Sequence, residues 1–232
     1  MKKVEISVVI PVYNSSLNLK NLVEDLFIVL KTNFNSYELI LVNDKSLDDS
    51  WAIITNLCKS YSWIKGIELR KNIGQHNSIL AGLKYAEGDR IITMDDDCQH
   101  SPKYIVDLNA ELDKGHDVCY ANYISKKQNL LRKLGSKINN LIVTLLFRKP
   151  WNLNLTPFRC ISYQVKDEII KNKAPSVYLD GLILSITRNI SKILVIHNDR
   201  KFGKSNYTFL KLLNLWMQMV TGFSVAPLRF AS

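Results

Sequence analysis

Five short apolar runs alternate along the first half of the chain with segments whose apolar residues recur at helical spacing. The runs are "ISVVIPVYN" (6–14), "YELILVND" (37–44), "IKGIELR" (64–70), "DRIITMD" (89–95) and "DVCYANY" (117–123). The first is a nearly unbroken β-branched stretch, as expected of a parallel strand buried on both faces. In the segment after it, Leu19, Leu22, Val23, Leu26 and Leu30 fall on one helical stripe, with Ser15, Ser16 and Asn18 available as caps. Further helices are expected over 46–61, 77–88 and 101–115. Asp48 and Asp49 suit the first turn of one, Gly88 stops another, and Pro102 and Gly115 bracket the last. This β-α-β-α order predicts an α/β fold, a mainly parallel sheet with helices on both faces. Ligands of such sheets bind beyond the carboxyl ends of the strands. The polar clusters fall there: 11–14, 43–44, 70–77 and 95–99. After residue 125 the alternation is lost, and the rest reads as basic and more helical.

At 232 residues, 47% of them hydrophobic, the chain can build one sizeable core, alone or with an appendage. Its charge is uneven. Residues 1–119 hold 13 Lys/Arg against 17 Asp/Glu, whereas 120–232 hold 18 against 4. The second half should face something anionic: nucleic acid, phosphate or membrane lipid. The four cysteines match no zinc spacing and read as reduced, buried thiols. The opening apolar run is too short for a secretion signal, and no stretch reaches the ~18 apolar residues of a membrane span.

Chemistry concentrates in "MDDDCQHSP" (94–102). In an extended chain Asp95 and Asp97 point the same way and Asp96 the other. Oxygen ligands at an acidic loop suit Mg²⁺ or Mn²⁺ rather than zinc, with Gln99 as a third donor. The rival reading is a solvated acidic turn capping the next helix; position after a parallel strand favours the metal. Asp44 can accept from a nucleoside base or ribose, or else cap the following helix. No Gly-x-Gly-x-x-Gly or other phosphate-cradling glycine loop occurs, so bound phosphates would need a metal and cationic side chains. Arg159, Arg200, Lys204 and Ser205 are the candidates from the basic half. His76, His100, His116 and His197 have no metal spacing.

These pieces, in this order, resemble the family-2 glycosyltransferases, in particular the polyprenyl-phosphate glycosyltransferases of the dolichol-phosphate-mannose synthase type. The family patterns "VSVVIPVYNE", "VNDGSxD", "xNxGQHxAxxAGLxxAxGD", "DADLQHPP" and "RxxGxSxY" stand here as "ISVVIPVYN", "LVNDKSLDDSW", "RKNIGQHNSILAGLKYAEGD", "DDDCQHSP" and "RKFGKSNY". The resemblance implies a GT-A (Rossmann-like) fold and a UDP-, GDP- or TDP-sugar donor, with Mg²⁺ or Mn²⁺ on Asp95, Asp97 and Gln99. It places Pro11, Tyr13, Asn14, Asp44, Gln75 and Asp96 at the donor, and Arg159, Arg200, Lys204 and Ser205 at the diphosphate or acceptor phosphate. Three departures stand out: Ser15 replaces an acidic residue, Lys45 replaces a glycine, and no Asp-x-Gly precedes Arg159.

The implied reaction is inverting transfer of a sugar to a polyprenyl (undecaprenyl or dolichyl) phosphate. Such an acceptor is already ionised and needs no strong base. A glycan or glycolipid hydroxyl is the alternative acceptor, for which Asp96 or Asp180 would be the base. A basic nucleic-acid-binding domain without catalysis is the remaining alternative, unsupported by any RNA or zinc motif. Residues 1–205 are expected to form the catalytic domain and 206–232 an amphipathic segment leading toward a membrane. "KINNLIVTLLFR" (137–148) and "YTFLKLLNLWMQMVTGF" (207–223) have broad apolar faces, as interfacial helices on an anionic bilayer do. The expected location is peripheral, at the cytoplasmic face of the membrane, with a second copy of the chain as a further candidate partner.

Overall fold

The structure, a computed structural model, describes residues 4–123, 153–172 and 178–196. Seven strands form one sheet: β1 Ile6–Val12, β2 Tyr37–Asn43, β3 Ile64–Glu68, β4 Arg90–Thr93, β5 Val118–Tyr123, β6 Arg159–Ser162 and β7 Ile190–Val195. Their order is β3-β2-β1-β4-β6-β5-β7. β1 lies parallel between β2 and β4, β2 pairs parallel with β3, and β7 pairs parallel with β5. β6 alone is antiparallel to its neighbours, inserted between β4 and β5. The sheet is thus mainly parallel, as expected, but the second half of the chain supplies two strands that periodicity did not show. β6 is a four-residue "RCIS" opening on arginine, too short to display an alternation.

Six described helices flank the sheet: α1 Leu19–Asn33, α2 Ser50–Ser60, α3 Gln75–Leu83, α4 Tyr104–Asp113, α5 Tyr163–Ile170 and α6 Leu179–Ile186. α1, α2 and α4 bury Leu22, Leu26, Ile54, Ile105 and Leu108 on one face, against Ile6, Val8, Ile10 and Val12. α3, α5 and α6 bury Ile79, Leu83, Val165, Ile169 and Ile183 on the other, against Val9, Ile40 and Val42. β1 is covered on both sides, which is why its whole run is apolar.

Boundaries moved where tertiary contacts overrode local signals. The third helix begins two residues before the expected 77 and ends at Leu83 rather than at Gly88. Gly88 is no helix cap: a Cβ there would lie 2.6 Å from the Ser7 backbone nitrogen. Gly115 does follow its helix with φ 96°. The cysteines are free, with Cys98, Cys119 and Cys160 buried. No helix among the described residues is long and apolar enough to cross a membrane. The segments 137–148 and 207–223, and the expected boundary at 205/206, lie outside the described residues.

Candidate active site

Three loops meet at the carboxyl ends of β1, β2 and β4, and each contains a non-glycine residue in the left-handed region: Asn14 (φ 54°), Lys45 (φ 56°) and Cys98 (φ 58°). The first two loops are laced together. Asn14 donates its backbone N–H to Ser46 Oγ at 3.0 Å and accepts from the Leu47 N–H on Oδ1 at 2.8 Å. The Ser15 and Ser16 amides donate to Ser50 Oγ and Asp48 Oδ2. Asp48 also takes the Ser50 N–H and so opens α2. Pro11 sits inside β1, in register with Val42.

Asp44 is 3% exposed. Its two oxygens accept from the Ile73 and Gly74 amides, at 2.8 and 2.9 Å. Burial raises its pKa, and those amides offset part of the rise. It therefore pins the loop that leads into α3, and does not cap α2.

In the acid loop the three carboxylates have different neighbours. Asp95 Oδ1 accepts from the Gln75 side-chain amide at the start of α3. Asp96 Oδ2 accepts from the Tyr13 backbone N–H at 3.1 Å. Asp97 Oδ1 accepts from the Gln99 N–H at 3.1 Å, closing the turn. Burial pushes the Asp96 carboxyl up to about 6, with Ser15 and Tyr13 holding it lower than burial alone would. Tyr123, at the end of β5, has its phenol raised by burial and then by the charges of Asp95 and Asp97. Each of the three acids thus has its own hydrogen-bond partner, and the loop turns at Cys98. His100 stacks between Tyr123 and Phe158, with ring centroids 5.6 and 5.2 Å away, and so fixes the far end of the loop.

Among the described residues no three His, Cys, Asp or Glu side chains converge as a metal cage. The oxygen donors this loop carries are the carboxylates of Asp95 and Asp97 and the side-chain amide of Gln99. That oxygen set fits Mg²⁺ or Mn²⁺, which fill their remaining positions with water and phosphate oxygens.

Arg159 is 1% exposed. It forms an ion pair with Asp180, and its Nε donates to Thr93 Oγ1 at 3.1 Å. Tyr120 donates its hydroxyl to the same Asp180 oxygen at 2.9 Å. This buried cluster ties β4, β5, β6 and α6 together directly beneath the acid loop. The geometry therefore gives Arg159 a carboxylate partner within the protein, and leaves no exposed guanidinium there. His76, beside Gln75, has its Nδ1 buried without a hydrogen-bond partner, and its ring meets Tyr178 edge-on at 5.3 Å. Burial lowers its pKa. Sequence reasoning singled out neither Thr93, Tyr120 nor Tyr123, because their roles depend on strands distant in the chain; His100 could have been found from its place after Gln99. Arg200, Lys204 and Ser205 lie outside the described residues.

Residues 7–172 match the family model for glycosyl transferase family 2. The chain is 32% identical to the undecaprenyl-phosphate 4-deoxy-4-formamido-L-arabinose transferase of Klebsiella pneumoniae over 229 residues, which cover 98% of this chain and 70% of that protein. It is 34% identical to the protein of the same name from Photorhabdus laumondii, with the same coverage. Among solved structures, glucosyl-3-phosphoglycerate synthase from Mycobacterium tuberculosis, in complex with Mn²⁺, UDP-glucose and phosphoglyceric acid, shares the fold. It aligns with a TM-score of 0.65 at 14% identity, covering 93% of this chain and 77% of that one. A catalytic domain of the GT-A type thus underlies both likenesses, and the reading as a non-enzymatic nucleic-acid-binding domain falls away. The chain belongs to glycosyl transferase family 2 and is a glycosyltransferase.

Proposed function

We propose that the protein transfers a sugar, with inversion, from a nucleotide-diphosphate sugar to a polyprenyl phosphate of the undecaprenyl class. The likeness to undecaprenyl-phosphate transferases along 98% of the chain carries this reading. The geometry supports it. The acid loop is held on one side to the β1 loop through Asp96 and Tyr13, and on the other to α3 through Asp95 and Gln75. Pro11, Tyr13, Asn14 and Asp44 line the nucleoside end of this arrangement, with Asp44 acting through the loop it pins.

Asp95, Asp97 and Gln99 would hold Mg²⁺ or Mn²⁺, which supplies positive charge to the departing diphosphate. Arg159 acts from below: its bond to Thr93 and its pairing with Asp180 keep the end of β4, and so Asp95, in place. Arg200, Lys204 and Ser205 are assigned to the acceptor phosphate. Both carboxylates that could serve as a base for a hydroxyl acceptor are engaged, Asp180 by Arg159 and Asp96 by Tyr13. An acceptor phosphate needs no base, so this favours it over a glycan hydroxyl. A polyprenyl tail keeps the acceptor in a bilayer, so the reaction takes place at a membrane surface, for which the +10 net charge is suited.

The test is transfer of radiolabelled sugar from UDP-, GDP- and TDP-sugars to undecaprenyl phosphate in detergent. An acid-labile lipid product with one donor is expected, and Asp97→Ala should abolish it while the fold survives by circular dichroism. A product stable to mild acid, or an active Asp97→Ala enzyme, overturns the reading.

A further inference from the structure

Four polar side chains in a row open α3, and three of them are engaged. Gln75 donates its side-chain amide to Asp95 Oδ1. Asn77 Nδ2 donates to the Ile73 carbonyl at 2.9 Å, and Ser78 Oγ to the Gly74 carbonyl at 3.0 Å. His76 is the fourth. Its Nδ1 is enclosed with no hydrogen-bond partner. A buried polar atom left in that state costs about 1–3 kcal/mol, so packing alone would favour an apolar residue at this position. The residue as a whole is only half-buried, so the polar edge it can turn to a ligand is Nε2. Its ring stands edge-on to Tyr178, the residue that precedes α6, with centroids 5.3 Å apart. His76 thus bridges the start of α3 and the start of α6.

The elements of the site follow one another in space. The β1 loop meets the acid loop through Tyr13 and Asp96, the acid loop meets α3 through Asp95 and Gln75, and α3 meets α6 through His76 and Tyr178. A nucleotide-sugar donor is a chain of three parts: nucleoside, diphosphate, sugar. With the nucleoside at the β1 loop and the diphosphate at the acid loop, the sugar falls where α3 and α6 begin. We infer that His76 contacts the transferred sugar there, with Nε2 hydrogen-bonded to one of its hydroxyls. This inference rests on the donor reading proposed above and adds to it the sugar subsite. A hydroxyl both donates and accepts, so it pairs with either tautomer of a neutral imidazole. Burial lowers the His76 pKa, and Arg159 opposes the pull of Asp180 toward the charged form. The ring is therefore neutral near pH 7, which suits an uncharged hydroxyl better than the acceptor phosphate.

The experiment uses the donor that gives lipid product in the transfer assay above, and the free nucleoside diphosphate of that donor. Wild type, His76→Ala, His76→Gln and His76→Asn are compared. The readouts are calorimetric binding of each ligand with Mn²⁺, and KM for the donor and for undecaprenyl phosphate. His76→Ala should bind the sugar donor about fivefold more weakly, the scale of one neutral hydrogen bond, and the free diphosphate as wild type does. A glutamine amide reaches as far as Nε2 and can donate and accept, whereas an asparagine amide reaches only as far as Nδ1. His76→Gln should therefore keep most of the donor affinity, and His76→Asn should lose it as alanine does. Equal losses on donor and free diphosphate, or no loss on either, overturn the inference. So does a raised KM for undecaprenyl phosphate at unchanged donor affinity, which would put His76 at the acceptor. If His76→Ala does not fold, the glutamine and asparagine variants decide, and equal donor affinity in the two overturns the inference. Wild type that transfers from no UDP-, GDP- or TDP-sugar and binds none of the three diphosphates overturns the donor reading and this inference with it. Wild type that transfers, with no selective loss in His76→Ala, overturns this inference alone.

Discussion

Lys45 adopts φ 56° in the loop after β2, at the position where the family pattern has glycine. A side chain in the left-handed region costs about 1–2 kcal/mol, against which glycine loses about 0.5–1 kcal/mol of chain entropy on folding. The ion pair of Lys45 with Glu68 is solvent-exposed at 3.3 Å and offsets little. Lys45→Gly should therefore raise stability by about 0.5–1 kcal/mol, read from the urea midpoint at unchanged slope. His76 offers a second test at this scale. Burial depresses its pKa below that of the unfolded chain, so the unfolded state binds more protons as pH falls through the ordinary histidine range. The contribution is therefore intact above the unfolded pKa and is lost as pH drops through the folded value. The unfolding midpoint should fall between pH 7 and pH 5, and His76→Gln should fall less steeply over that window; parallel curves would show that His76 does not titrate on unfolding.

At the scale of elements, α3 links the sheet to the site. Its Gly82 lets the helix lie close on β1 and β2: a Cβ there would stand 2.5 Å from Val9 Cγ1 and 2.9 Å from Val42 Cγ2. These are interior side chains of a packed face, which cannot swing away. Gly82→Ala should cost about 1–3 kcal/mol by overpacking. It should also push the helix outward and draw Gln75 off Asp95, lowering kcat/KM more than a surface alanine such as Lys84→Ala does. Denaturant titration and steady-state kinetics on the two variants check both parts. The helices were legible because each has one apolar stripe, yet their ends were not. Gly88 looked like a helix stop, and only the approach of Ser7 shows that it accommodates a neighbouring strand. β6 was illegible for a different reason: four residues paired with partners 39 to 72 positions away carry no period of their own.

Across the whole molecule, Arg159 and Asp180 join the two halves of the chain. Arg159 stands on β6 and reaches Thr93 on β4, while Asp180 on α6 also takes the Tyr120 hydroxyl from β5. Removing one partner of a buried ion pair strands the other charge, so Asp180→Ala should cost about 3–5 kcal/mol. Arg159→Met/Asp180→Leu should cost less than either single change, as measured by a double-mutant cycle in denaturant, because no charge is then left unpaired. The sequence by itself determined the β-α-β-α order, the doubly covered first strand and the acids at the end of the fourth, since hydrophobic period and strand-end chemistry are written over a few consecutive residues. Tertiary structure alone decided what those polar groups touch. Asp44 holds the Ile73–Gly74 amides, Asp96 the Tyr13 amide and Arg159 the Asp180 carboxylate, because a buried polar group takes its partner from whichever element packs beside it, and strand order, not sequence distance, selects that element.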